Sequence, residues 1–157
     1  MVWTAAKSNN LMDIEADVRI RYYRTFCAIA ADYAEAPAIV RTVNVYWGLT
    51  GTGKSRTAWD EAGVSAYCKD PRSKFWCGYR DQQHVVLDEF RGGIDISHIL
   101  RWTDRYPVQV EIKGSSRPLL ATVIWITSNL HPNDWYPDLD YQTRDALLRR
   151  LNIREFT

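Results

Sequence analysis

Short runs of β-forming apolar residues alternate with segments of helical spacing from residue 43 onward, and this alternation predicts an α/β domain with a largely parallel sheet. Val43-Asn44-Val45-Tyr46-Trp47 reads as the first strand and Lys54 to Ala62 as the helix that follows. A short strand is expected near Ala66-Tyr67-Cys68, then Val85-Val86-Leu87, a buried strand ending in Asp88-Glu89. Ile96 to Thr103 has helical spacing, with Ser97 near its start. Between Val108 and Ala121, β-formers flank Lys113-Gly114-Ser115-Ser116, the pattern of a hairpin. Thr122 to Thr127 carries the strongest strand signal of all, and its end bears Ser128-Asn129. A last helix is predicted from about Thr143 to Leu151.

Upstream, Ile14 to Tyr33 is predicted to form one helix. Tyr22, Phe26, Ile29 or Ala30, and Tyr33 recur at helical spacing, while Arg19, Arg24 and Asp32 fall outside that stripe. Such a stripe needs a surface to bury against. Pro37 disfavours helical dihedrals in the residue before it, so Glu35-Ala36-Pro37 ends the helix and opens a linker. Residues 1–12, small and polar around Ser8-Asn9-Asn10, read as an irregular leader. The expected organisation is a helical segment with linker over 1–39 and a main domain over 40–157.

Composition adds limits. A chain of 157 residues, 46% hydrophobic and 25% charged, suits one ordinary soluble core. A formal net charge of +1 gives no overall attraction to polyanions, so any nucleic-acid contact must come from local basic segments. Cys27, Cys68 and Cys77 form no zinc pattern with His84, His98 and His131, and are expected to be free, mostly buried thiols. No apolar run approaches the roughly 18–20 residues of a membrane span, and the N-terminus lacks a signal-peptide layout. An intracellular, soluble protein without membrane contact is expected. The seven Trp and nine Tyr suit a packed core, with base stacking as the rival use.

Candidate chemistry centres on Gly48-Leu49-Thr50-Gly51-Thr52-Gly53-Lys54-Ser55, set between the first strand and its helix. Glycines let backbone N–H groups turn inward around phosphates, Lys54 reaches the β- and γ-phosphates, and the Ser55 hydroxyl suits Mg²⁺. Hydrolysis further requires a carboxylate at the end of a neighbouring strand, which Asp88 supplies for the metal; Glu89 suits the attacking water. Asn129 stands where open α/β sheets meet their ligands and can bond both γ-phosphate and water, although an Asn before Pro132 also suits a turn. Lys113-Gly114-Ser115-Ser116-Arg117 places two cations and small residues on a hairpin tip, either a phosphate-tracking loop or a solvated turn. Lys69, Arg72, Lys74 and Arg80 interleave with Tyr67, Phe75, Trp76 and Tyr79, as a nucleic-acid surface or as core aromatics with solvated charges.

Taken in order, several stretches resemble the superfamily 3 helicase domain in replication initiators of small circular single-stranded DNA viruses, the circovirus-like group. They are Tyr46 to Ser55, Pro71 to Trp76 with Gly78-Tyr79, Val86 to Phe90, Asp104 to Pro107, Val110 to Gly114, Ile126 to Asn129 and Ala146 to Arg150. The resemblance spans about residues 14–157. It implies an AAA+-like ring ATPase, usually hexameric, moving 3′→5′ on single-stranded DNA, with ATP and Mg²⁺ as cofactors and the host nucleus as its location. It assigns Lys54 and Ser55 to nucleotide and metal, Asp88 and Glu89 to metal and water, and Asn129 to a polar sensor. Lys113, Gly114, Ser115 and Arg117 would belong to the DNA-gripping hairpin, and Arg149 or Arg150 would be a finger reaching a neighbour's γ-phosphate. Residues 14–36 would form an oligomerisation collar.

Full-length members of that group begin with a nicking domain carrying a His-hydrophobic-His motif and a tyrosine followed by lysine. The three histidines here are far apart and Tyr22-Tyr23 suits helix packing, so nicking and joining are expected to be absent and the chain to be a shortened form. The rival readings are a superfamily 3 helicase of a positive-strand RNA virus, a phosphate-loop kinase, and an ATP-binding module that is not a motor.

Overall fold

The computed structural model describes residues 1–157. In chain order the elements are α1 (Val2–Lys7), α2 (Ala16–Arg21), α3 (Tyr23–Tyr33), β1 (Thr42–Gly48), α4 (Lys54–Ala62), β2 (Tyr67–Lys69) and β3 (His84–Leu87). There follow α5 (Ile96–Thr103), β4 (Gln109–Ile112), β5 (Ser115–Pro118), β6 (Val123–Ser128), α6 (Tyr141–Leu148) and β7 (Leu151–Phe156). Five strands form one sheet in the order β2-β3-β6-β1-β7, and every pair in it is parallel, as the alternating pattern predicts. β4 and β5 form a separate antiparallel hairpin.

Side chains alternate across the sheet because strand residues point to opposite faces. Val43 and Val45 join Leu87, Ile124 and Ile126 in the larger core, which also takes Ile99 and Trp102 from α5 and Leu147 from α6. On the opposite face Tyr46, Val86 and Trp125 pack against Ala58 and Ala62 of α4. The small alanines let α4 lie close to the sheet. Glu61 fastens it there by accepting from Tyr46 Oη at 2.8 Å and Trp125 Nε1 at 3.2 Å. This clamp fixes the helix that begins with Lys54.

The N-terminal region departs from its predicted form. Residues 1–12 contain α1 and the start of a short 3-10 turn at Leu11–Asp13, and Ala5, Ala6, Ile14 and Phe26 make a small core of their own. The expected single helix breaks at Tyr22, whose φ of −116° and ψ of 23° lie outside helical geometry. Tyr22 and Tyr33 are exposed, leaving Phe26 as the buried member of the expected stripe. At the other end, the predicted helix stops at Leu148, and residues 151–156 add β7 beside β1, with Val43 opposite Leu151 and Gly48 opposite Phe156. The thiols also differ from expectation: Cys68 and Cys77 are exposed and Cys27 is half-buried. The start of α5 is capped by Asp95, which accepts from the Ser97 N–H.

Tyr67, Trp76 and Tyr79 are buried, settling those aromatics as core. Trp76 stacks on Tyr67 at 5.4 Å and meets Trp102 edge-on at 5.1 Å. Lys69 is buried beside them, its ammonium 5.7 Å from the Trp76 ring and 5.2 Å from that of Trp102. It donates to the carbonyls of Asp70 and Ser73. Burial lowers its pKa to about 8, outweighing the opposing pull of nearby Asp70.

Candidate phosphate-binding site

The loop between β1 and α4 lies at the carboxyl edge of the sheet, where open α/β sheets bind ligands. Gly48 is required by its neighbour: its φ is +148°, and a Cβ there would lie 2.2 Å from the Phe156 carbonyl oxygen. Gly53 precedes α4 at φ +87°, a left-handed turn natural to glycine. No side chain caps α4, so its first N–H groups and the positive end of its dipole are open to an anion. Lys54 is buried, and its ammonium donates to the Gly48 and Leu49 carbonyls at 2.8 and 2.6 Å. Thr52 closes the loop by donating to Leu49 at 2.7 Å.

Asp88 follows β3, but β3 does not neighbour β1 as expected; β6 lies between them. The carboxylate still reaches the loop, because the Ser55 hydroxyl donates to its Oδ1 at 2.6 Å. Thr127 of β6 fills the intervening position and donates to the same oxygen. The Glu89 N–H donates to Thr127 Oγ1 at 2.9 Å and the Phe90 N–H to the Thr127 carbonyl at 2.8 Å. Glu89 has φ +56°, a left-handed backbone that costs a non-glycine residue about 1–2 kcal/mol. A hydroxyl and a carboxylate set side by side are the hard oxygen donors that Mg²⁺ prefers, so Ser55 and Asp88 fit that ion.

Beside these groups opens a cleft of about 220 Å³ with no hydrophobic residue in its lining. Thr50, Gly51, Gly53, Lys54 and Ser55 form one wall, and Glu89, Thr127, Ser128 and Asn129 the other. Residues from three separate strand ends thus meet in one place. Two lining residues carry no clear signal in the sequence. Arg56 adds a second cation on the first turn of α4, and Thr127 reads only as the polar end of an apolar strand. A cleft of equal volume between α3 and β5, half lined by apolar residues, gathers no comparable set of phosphate donors.

The other predicted site residues lie elsewhere. Ile112 faces Ser115 in the hairpin, so Lys113 and Gly114 form its tip, and Lys113 is exposed. Ser115 begins β5. Arg117 is not at the tip: it sits opposite Val110, donates to the Tyr79 carbonyl at 3.1 Å and lies 3.7 Å from Asp81. Arg149 and Arg150 precede Leu151, which pairs with Val43 at the amino end of β1, whereas the phosphate loop leaves its carboxyl end. Five residues of strand, roughly 17 Å, separate those levels. Arg150 pairs with Asp104 at 3.1 Å; Arg149 is largely exposed and touches only Asp145, one helical turn back, at 3.3 Å.

A glycine-rich loop from a central parallel strand into a helix, with carboxylates across the sheet, defines a phosphate-loop nucleotide-binding domain. The family model described as RNA helicase matches residues 44–130, a span from β1 through Asn129. Similar proteins include the replication-associated protein of Porcine circovirus 1, 35% identical over 99% of this chain and 52% of the relative. Those of Human associated cyclovirus 1 and Goose circovirus are 41% and 42% identical over 71% and 70% of this chain, and 41% and 36% of their own. The chain belongs to the superfamily 3 helicase domains of circovirus-like replication-associated proteins. It spans about half the length of the first of these relatives. Membership makes it a helicase-type enzyme that uses a nucleoside triphosphate. No helix is long and apolar enough to cross a membrane.

Proposed function

We propose that this chain hydrolyses ATP with Mg²⁺ and uses the energy to move 3′→5′ along single-stranded DNA in viral rolling-circle replication. The convergence of Lys54, Ser55, Glu89 and Asn129 on one cleft, with Asp88 behind it bonded by the Ser55 hydroxyl, is the observation that carries this reading. Lys54, Arg56 and the α4 N-terminus hold the triphosphate; Ser55 and Asp88 hold the metal, which supplies charge neutralisation on the phosphates. The Glu89 carboxylate takes a proton from water as its oxygen attacks the γ-phosphorus, and the bond to the β-phosphate oxygen breaks, giving ADP and phosphate. Asn129 hydrogen-bonds the γ-phosphate and orients the water.

The arginines lie too far from their own chain's loop to serve it, which supports a ring, hexameric by family resemblance, with ATP between subunits. Arg149 is the finger, because it is exposed and held only by a surface pair, while Arg150 is engaged with Asp104. Residues 1–39 form the oligomerisation segment; their exposed Trp3, Ile20, Tyr22 and Tyr23 offer apolar area for a second copy. The tip at Lys113 grips DNA backbone, and the site of action is the host nucleus. Similarity to the circovirus replication-associated proteins over 99% of the chain favours DNA over RNA. The test is phosphate release with single-stranded DNA and with RNA, combined with light scattering. Rings whose turnover is stimulated by DNA are expected; transfer of phosphate to a small acceptor without polymer stimulation would instead identify a kinase.

A further inference from the structure

The strand that separates the phosphate loop from the acid pair contributes a hydroxyl at the centre of the site. Thr127 is 1% exposed, paired with Tyr46 on the β1 side, and aligned with the segment just after β3 on the other. Its side chain and its backbone together take hold of three consecutive residues. The hydroxyl donates to Asp88 Oδ1 and accepts from the Glu89 N–H at 2.9 Å, while the carbonyl accepts from the Phe90 N–H at 2.8 Å.

One hydroxyl carries one proton and two lone pairs, so it can donate to Asp88 and accept from Glu89 at the same time. The Ser55 hydroxyl donates to that same Asp88 oxygen, so two hydroxyls fix the carboxylate and leave Oδ2 outside both bonds. The acceptance fastens the Glu89 N–H in the left-handed backbone at φ +56°, a conformation held only where its surroundings determine it. That backbone turns Glu89 to the cleft wall while Phe90 points into the core at 0% exposure. Asn129 stands two residues further along, just past the end of β6, so one strand sets the spacing of all three polar groups.

We infer that Thr127 is a positioning residue of the proposed hydrolytic site: its hydroxyl holds Asp88 for the metal and Glu89 for the attacking water. The inference rests on the hydrolytic reading given above. Removing the hydroxyl leaves a half-buried carboxylate oxygen with one donor fewer and frees the Glu89 N–H, without touching a group that binds phosphate.

Thr127→Val keeps the volume and deletes the hydroxyl, while Thr127→Ser keeps the hydroxyl and deletes the methyl. The Val substitution is expected to lower kcat about 30-fold and leave the affinity for ATP within about three-fold, and the Ser substitution to restore kcat to within about three-fold of the parent. A second readout does not depend on turnover. Mn²⁺ binding to the protein loaded with a non-hydrolysable ATP analogue, followed by electron paramagnetic resonance, is expected to weaken about ten-fold in Thr127→Val and to recover in Thr127→Ser. Parent-like kcat and Mn²⁺ affinity in Thr127→Val would overturn the inference, as would equal loss in the two variants, which would assign the effect to packing. A parent that binds Mn²⁺–nucleotide without hydrolysing it would remove the hydrolytic reading, and the Mn²⁺ comparison would still decide whether Thr127 holds Asp88. Should Thr127→Val fail to fold, Thr127→Ala compared with Thr127→Ser isolates the hydroxyl.

Discussion

The Lys54 ammonium lies 2.8 Å from the Gly48 carbonyl oxygen, inside the loop that its own helix closes. Without a phosphate, the carbonyls of residues 48 and 49 satisfy a charge that burial would otherwise penalise. In the proposed site a triphosphate would replace those acceptors with anionic oxygens. Lys54→Ala is therefore expected to lower turnover at least about 100-fold, chiefly by removing positive charge from the γ-phosphate in the transition state. Phosphate release measured at saturating ATP checks this, and normal turnover would sink the site assignment.

Arg149 and Arg150 are adjacent in sequence but differ in what they touch, and this separates their expected phenotypes. Arg150→Ala breaks a half-buried pair with Asp104 and is expected to cost about 1–2 kcal/mol of stability, read by urea denaturation. Arg149→Ala loses only a surface pair and should unfold like the parent, yet lose roughly 10³-fold or more in ring turnover. Mixing Lys54→Ala subunits with Arg149→Ala subunits gives some interfaces with both groups intact. Activity recovered on mixing is the expected result; mixtures as inactive as either variant alone would place the finger elsewhere.

Where each local signal is strong, sequence pattern and structure agree. Lys54–Ala62 and Ile96–Thr103 are helices with the predicted limits, because their apolar spacing and flanking turn residues point the same way. β7 is hidden in the sequence because it is an edge strand, with one buried residue among six and paired arginines that look helical before it. The packing of α1 is hidden because Ala5 and Ala6 carry little hydrophobic signal, although both are buried. The phosphate loop and the acid pair are legible as residue types at a spacing. Thr127 is not, since its role depends on β6 lying between β1 and β3, an order that strand patterns do not encode.

Lys69 offers a test of the core through pH. Its folded pKa of about 8 lies below the ordinary lysine value of 10.5 expected of the unfolded chain. Below pH 8 both states carry the proton and the folded one bears the full cost of burying it. Between 8 and 10.5 the unfolded chain binds a proton that the folded one does not, so this group makes stability rise with pH, by about 3 kcal/mol at most. Burial raises the pKa values of Tyr67 and Tyr79 to about 12, which acts in the opposite direction above pH 10. The comparison therefore belongs between pH 8 and about 9.5. Urea unfolding of the parent minus that of Lys69→Met should show a positive slope over that range. A flat difference would mean that the ammonium is already compensated by its aromatic and carbonyl neighbours.

The family resemblance groups Lys113 and Arg117 on one DNA-gripping hairpin, but the hairpin's geometry separates them. Lys113 stands at the tip with no acidic partner, beside the Phe75 ring at 6.0 Å, whereas Arg117 is tied to Tyr79 and Asp81 at the base. A free cation that meets a phosphate releases about one counterion, so its removal should lower the salt dependence as well as the affinity. Lys113→Ala is expected to weaken binding of single-stranded DNA and to reduce the slope of log Kd against log salt by about 0.7 for each phosphate no longer neutralised. Arg117→Ala should instead loosen the hairpin base, lowering thermal stability with little change in that slope. Fluorescence anisotropy of labelled oligonucleotides at several salt concentrations, read beside thermal unfolding, distinguishes the two. A slope that responds to Arg117 and not to Lys113 would move the DNA contact from the tip to the base of the hairpin.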